Sequence, residues 1–153
     1  MTEQLPDPTP EEIQAWHRTM APLAFNHTWS LLDLAERAAS DEEDMLAATF
    51  SQRFHWYRVG TPRNRAIADW QVSRVAAVLG YADLARRFGQ LSLDLCEAND
   101  LDPFVRGFAH EAIARAAADV DDVDTFTEHL AAARALLNEI EDAEERDILG
   151  VIE

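Results

Sequence analysis

The sequence contains no lysine, so all 13 of its basic residues are arginine, and they stand against 29 acidic residues. The formal net charge is therefore -16. A charge of this size and sign repels phosphate backbones and anionic lipid headgroups. The composition thus predicts neither a nucleic-acid partner nor a membrane partner.

Cysteine and long apolar runs are also scarce. Cys96 is the only cysteine, so no internal disulfide can form, and its leucine neighbours predict a buried thiol on a helix. Residues 1–10 contain three prolines and no apolar run. No window approaches the roughly 18 uninterrupted apolar residues of a membrane span. The sequence therefore predicts neither a signal peptide nor a membrane span, and we expect a cytoplasmic protein.

Strand-like alternation is absent, and the five glycines are isolated, so neither a sheet nor a glycine-rich phosphate loop is expected. Helix-start signals are frequent instead, such as Thr9-Pro10 followed by Glu12, and Thr61-Pro62. They predict an all-α protein of about seven helices, with short connections that make neighbouring helices antiparallel. The expected helices span about residues 10–20 and 23–39 on either side of a break at Pro22, then 41–59, 62–79, 82–98, 103–118, 124–140 and 142–152.

The chain repeats itself with a step of 41 residues. Shifting it by that step aligns Ser73 with Ala114, Arg74 with Arg115, and Asp83 with Asp124. Such periods are typical of proteins that stack similar helical hairpins side by side. Each copy places small residues where its two helices would cross, which lets the helix backbones approach closely.

The segment 70–99 resembles a tetratricopeptide unit. Trp70 opens its first helix, Gly80 follows Leu79 in the turn, and Ser92 is a small residue of the second helix. The resemblance extends over about residues 63–139. It implies antiparallel helix hairpins stacked into a right-handed α-α superhelix.

The resemblance also implies the organisation of the whole chain. Residues 23–58 resemble a degenerate earlier copy of the hairpin, so residues 1–153 are expected to form one domain, with a flexible N-terminus at 1–9. Several runs look like those of small bacterial tetratricopeptide-like proteins: His55-Trp56, Val59-Gly60-Thr61-Pro62, Trp70-Gln71 and Ser73-Arg74-Val75. This likeness implies a bacterial, cytoplasmic setting and supplies no activity.

Equivalent helices of the two hairpins carry the candidate ligand-binding residues. Trp70 and Arg74 lie four positions apart on one helix, and Glu111 and Arg115 occupy the equivalent positions on the next. The first helices of successive hairpins line the concave surface of such a stack, so these four side chains are expected to meet there. An arginine beside an indole forms a cation–π contact of about 0.5 to 2 kcal/mol, and paired arginines bind carboxylate or phosphate.

Two interpretations of this cluster are open at the level of sequence. In the functional one, the four residues, with Trp29 and His55 nearby, hold a protein or peptide partner or a small anionic ligand. In the structural one, Glu111 neutralises the arginines and Trp70 belongs to the core, so the network only fixes how the hairpins stack.

The middle of the chain has the opposite charge to the rest. Residues 51–90 carry seven arginines and only two acids, which makes the molecule bipolar. This stretch is either a docking surface for an acidic peptide or anion, or a solvated face that pairs with acidic residues. Pairing with the acidic C-terminal region of a second copy would give a self-associating protein, possible as a homodimer.

Catalytic signatures are absent from the sequence. The five histidines never lie three or four residues apart, the serines lack a glycine elbow, and Cys96 has no nearby activator. We therefore predict a non-enzymatic binding module without a cofactor. The alternative is a small metal-dependent enzyme in which antiparallel helices bring together His27, His55 and Glu111.

Overall fold

The computed structural model describes residues 4–150, which form seven α-helices and no strand. The helices are α1 (Pro10–Leu32), α2 (Ala39–Val59), α3 (Pro62–Val78), α4 (Ala82–Ala98), α5 (Pro103–Ala118), α6 (Val123–Leu137) and α7 (Ala143–Gly150).

Neighbouring helices pack in pairs. The closest packing joins α1 to α2, α3 to α4 and α5 to α6, and the pairs stack through α2 on α3, α4 on α5 and α3 on α5. The short helix α7 closes the stack against α5 and α6. The prediction of an all-α protein built from stacked antiparallel hairpins is confirmed.

The repeat governs where the helices of the second and third hairpins begin. Pro62 and Pro103 begin α3 and α5, and Ala82 and Val123 begin α4 and α6, so equivalent starts are 41 residues apart. The turns after α3 and α5 also match, because Gly80 and Asp121 have φ angles of 83° and 57° and are separated by the same step. Glycine and aspartate adopt this left-handed conformation more readily than most residues.

The break predicted at Pro22 is wrong, because α1 continues through this residue. Pro22 itself is exposed, while Ala21, Ala24 and Leu31 on the opposite face are buried. A proline inside a helix costs about 3 kcal/mol. The burial of this face against α2 outweighs that cost, so the two predicted helices form one.

Two further boundaries differ from the prediction. The expected helix 23–39 ends at Leu32, where Arg37 donates a hydrogen bond to the Leu32 carbonyl oxygen at 3.2 Å. Helix α2 then begins at Ala39, and the Asp41 carboxylate accepts a hydrogen bond from the Ala38 backbone N–H at 2.9 Å. The first hairpin is therefore longer than the repeat suggests.

Small residues fill the crossings between α3, α4 and α5. Ser73 donates a hydrogen bond to the Ala85 carbonyl oxygen at 2.6 Å, and Ser92 donates one to the Ala66 carbonyl oxygen at 2.8 Å. Cys96 is fully buried nearby, as predicted, and burial raises the pKa of its thiol to about 12. Such a thiol is inert at neutral pH.

No helix within residues 4–150 is both long enough and apolar enough to cross a lipid bilayer.

Candidate functional site

A cavity of about 360 Å³ opens between α1, α3, α5 and α7. Its wall is almost entirely apolar except for two arginines, and the residues that line it are Trp29, Ile67, Trp70, Arg74, Phe104, Val105, Phe108, Arg115 and Ile148. Volumes of this size are typical of small-molecule pockets.

Four aromatic rings form a continuous row along the cavity. Ring centroids lie 5.7 Å apart for Trp29 and Trp70, 5.2 Å for Trp70 and Phe108, and 4.9 Å for Phe108 and Phe104. Trp29 belongs to the first hairpin, Trp70 to the second, and the two phenylalanines to the third. The row therefore spans the whole stack.

Arg74 and Arg115 reach the same cavity, as the repeat predicted. Each lies one residue step of 41 from the other, so equivalent helices direct equivalent side chains to one place. Trp70 shares the α3 face with Arg74 because residues four apart project from the same side of a helix. The predicted meeting of these three residues is confirmed.

Glu111 lies behind the cavity wall and is only 3% exposed. Its carboxylate oxygen Oε1 accepts a hydrogen bond from Arg115 Nη2. Burial raises the pKa of the Glu111 carboxyl, while the charges of Arg115 and Arg74 and the Trp70 indole N–H oppose that rise. Burial likewise lowers the pKa of Arg115, and Glu111 opposes that change. The four predicted residues thus form one electrostatic cluster.

The cluster leaves hydrogen-bonding capacity unused. Within the part of the chain that the structure describes, Trp70 Nε1, Glu111 Oε2 and Arg115 Nη1 are buried without a hydrogen-bond partner. The Trp70 N–H is close enough to affect Glu111 but does not form a well-aligned hydrogen bond with it. An unpaired buried polar atom costs about 1 to 3 kcal/mol.

Of the two residues expected near this cluster, Trp29 joins it and His55 does not. His55 Nδ1 lies 2.7 Å from His17 Nδ1 at the other end of the first hairpin. His17 and Trp29 are twelve residues apart on α1, which corresponds to about 18 Å along the helix axis. The placement of His55 at the site is therefore corrected.

The structure also separates the three residues considered for a metal. His27 Nε2 lies 2.6 Å from Asp44 Oδ2 on the surface, whereas His55 contacts His17 and Glu111 binds Arg115. Among residues 4–150, no three histidine, cysteine or acidic side chains are grouped as metal ligands. The metal-site geometry suggested by antiparallel pairing is wrong, because α1 and α2 meet at other positions.

No known protein family, curated protein or solved structure matches this chain. Membership of the tetratricopeptide-like proteins therefore stays a prediction, and the site has to be judged on its own geometry.

Several lining residues were not singled out from the sequence, although the repeat carries a signal for them. Ile67 and Phe108 are separated by the same step of 41 residues as the two arginines, and both line the cavity. Residues 67, 70 and 74 also form a stripe at helical spacing on α3. Ile148 has no such signal because α7 lies outside the repeat.

Arginines of the basic stretch 51–90 are largely engaged within the molecule. Arg53 Nε lies 2.5 Å from Asp69 Oδ1, Arg63 Nε lies 2.7 Å from Asp102 Oδ2, and Arg86 Nη1 lies 3.5 Å from Asp122 Oδ2. These contacts favour the interpretation in which the basic residues pair with acids of the same chain.

Two histidine pairs each join the helices of one hairpin. His17 contacts His55 in the first hairpin, and His110 Nδ1 lies 2.9 Å from His129 Nδ1 in the third. One ring nitrogen must donate to the other, so each contact requires at least one unprotonated Nδ1. The pairs therefore make the stack sensitive to acid.

We expect acid to weaken the third hairpin through His110. Burial, then the charges of His129 and Arg106, lower the pKa of His110 to about 4 from its ordinary 6.5, while Glu128 opposes this shift. The folded state then binds fewer protons than the unfolded chain, so this contribution is complete above about pH 6.5 and is lost as the pH falls toward 4. After allowance for partial exposure, it amounts to about 1 to 2 kcal/mol at about pH 5.

Thermal unfolding at about pH 7.5 and about pH 5 would measure this contribution. The double variant His110→Asn, His129→Asn should lose about 3 to 6 °C less on acidification than the unmodified protein. His27→Asn, outside both pairs, is the matched control. An equal loss in the double variant and the unmodified protein would refute the role of the pair.

Proposed function

We propose that this chain is a non-enzymatic, tetratricopeptide-like binding module that holds an anionic ligand in the cavity between its hairpins. The observation that carries the proposal is that Arg74 and Arg115 border a single apolar cavity. Arginine binds carboxylate and phosphate through paired, charge-assisted hydrogen bonds. The ligand is either a small molecule or the acidic group of a peptide.

A purely structural network does not explain the charge at this site. Glu111 pairs with Arg115, and one carboxylate neutralises only one guanidinium. Arg74 makes no ion pair within the described residues, although it lies on an apolar wall. A cation placed there without an acceptor is costly unless a ligand supplies one.

The proposed setting is the cytoplasm of a bacterium. The single, buried Cys96 supports it, because proteins of oxidising compartments more often rely on disulfides.

Thermal-shift measurements with three classes of probe test the proposal: carboxylic acids, phosphate esters and acidic peptides. At about 100 times its dissociation constant, a bound probe stabilises the fold by about 2.7 kcal/mol, which raises Tm by about 5 to 10 °C. We expect Arg74→Ala to abolish this rise. Arg87→Ala, which removes an exposed arginine away from the cavity, should retain it.

Either of two results would defeat the binding function. One is that none of the three probe classes raises Tm. The other is that Arg74→Ala responds to the probes as strongly as the unmodified protein.

A further inference from the structure

The charge of the cavity is small and positive in a strongly acidic protein. Arg74 and Arg115 each contribute one positive charge, and Glu111 contributes one negative charge, so the cluster carries a net charge of +1. The protein as a whole carries -16. A ligand with one negative charge would make the site neutral, which matters because charges are poorly screened away from water.

The unused donors lie beside this charge. Arg115 Nη1 and Trp70 Nε1 are buried without an acceptor among residues 4–150, and both side chains line the cavity. A carboxylate has two oxygens and therefore accepts several hydrogen bonds at once. One carboxylate at the floor of the cavity would satisfy donors that the protein leaves unpaired.

The remaining wall suits an apolar body. Phe104, Phe108, Ile67 and Trp29 surround the space beyond the arginines. Rings packed at 4.9 to 5.7 Å from one another present flat faces and edges against which a further aromatic group stacks. The lining offers almost no polar group apart from the arginines and the indole N–H.

We infer that the cavity binds an apolar monocarboxylic acid, preferably an aryl acid, with its carboxylate on Arg74 and Arg115 and its ring among the aromatic side chains. This inference rests on the binding function proposed above and specifies its ligand.

Other ligand classes fit less well. A phosphate monoester carries about two negative charges at neutral pH and would leave the site with excess negative charge. A peptide segment would bring backbone amides into a wall that cannot pair them, and each unpaired amide costs free energy. A primary ammonium group would face two guanidinium groups.

Calorimetric titration with three probes that share one ring system separates these classes. The probes are naphthoate, which is a monoanion, naphthyl phosphate, which is a dianion at about pH 8, and neutral naphthylmethanol. We expect naphthoate to bind at least tenfold more tightly than either of the others, since a hydrogen bond to a charged group contributes about 1.5 to 3 kcal/mol. Equal or tighter binding of naphthyl phosphate would overturn the inference.

Single substitutions test the charge argument directly. Arg74→Gln makes the cluster neutral and should weaken naphthoate at least tenfold while changing naphthylmethanol less than threefold. Glu111→Gln raises the net charge by one and should shift the preference toward naphthyl phosphate at least tenfold. Arg87→Gln is the control and should change none of the three affinities.

Melting curves establish that each variant is folded, and if Glu111→Gln does not fold, Arg74→Gln alone decides. The outcomes also distinguish this inference from the function on which it rests. Binding of inorganic phosphate or of an acidic peptide without binding of naphthoate would refute the acid and leave the binding module. Failure of all probes would refute both.

Discussion

Replacing Asp69 by alanine should destabilise the protein by about 4 kcal/mol, the largest loss we expect from any single substitution. Asp69 is fully buried on α3, where its carboxylate accepts hydrogen bonds from Arg53 at 2.5 Å and from the Tyr57 hydroxyl. Both partners lie on α2, so this carboxylate joins the first hairpin to the second.

The loss arises because the partners stay buried after the carboxylate is removed. Burial raises the pKa of Asp69, and hydrogen bonds from Tyr57 and Arg53 oppose that rise by favouring the charged form. Burial and the contact with Asp69 in turn raise the pKa of Tyr57 to about 12. Without Asp69, the phenol and the guanidinium lack an acceptor, which costs several kcal/mol.

Urea unfolding of Asp69→Ala, with Asp94→Ala as the exposed control, measures the effect. The control should stay within about 0.5 kcal/mol of the unmodified protein. In the background Arg53→Ala, Tyr57→Phe, the same Asp69→Ala change should cost at least about 2 kcal/mol less, because its partners are gone. A loss below about 1 kcal/mol in the otherwise unmodified protein would contradict the assignment.

Replacing Gly89 by leucine should cost about 3 kcal/mol through overpacking. A Cβ atom at Gly89 would lie 3.3 Å from Ile113 Cγ1 and 3.4 Å from both Ile113 N and Ser73 Oγ. The residue therefore sits where α4 crosses α3 and α5, and a longer side chain has no room unless a helix moves.

Alanine at Gly89 should be tolerated, since its tight contacts are offset by a helix-propensity gain of about 1 kcal/mol. We expect Gly89→Ala within about 1 kcal/mol of the unmodified protein and Gly89→Leu far below it. Gln90→Leu places the same side chain at the next, exposed position and controls for leucine itself. A Gly89→Leu variant as stable as Gln90→Leu would show that the crossing is not tightly packed.

The sequence predicted the second and third hairpins well because short-range chemistry determines their helix ends. Thr61 and Asp102 accept hydrogen bonds from the backbone N–H groups of Asn64 and Val105, and a proline follows each cap. The repeat then fixed the relation between the hairpins, so the shared location of Arg74 and Arg115 followed from spacing alone.

The first hairpin was predicted less well because its geometry depends on packing. The penalty at Pro22 is local, whereas the burial that outweighs it depends on contacts with α2, which sequence spacing does not reveal. The position of His55 failed for the same reason, since α1 and α2 have 23 and 21 residues and do not follow the repeat. Ile148 could not be predicted either, because only tertiary packing brings α7 to the cavity.

The aromatic row has a consequence for how the molecule comes apart. In stacked-hairpin proteins, each unit contacts only its neighbours, and the ends can fray before the centre. A molecule seated against Trp29, Trp70 and Phe108 touches all three hairpins at once. Occupancy would therefore fasten the ends to the middle, and an array that loosens unit by unit when empty would unfold in a single cooperative step when filled.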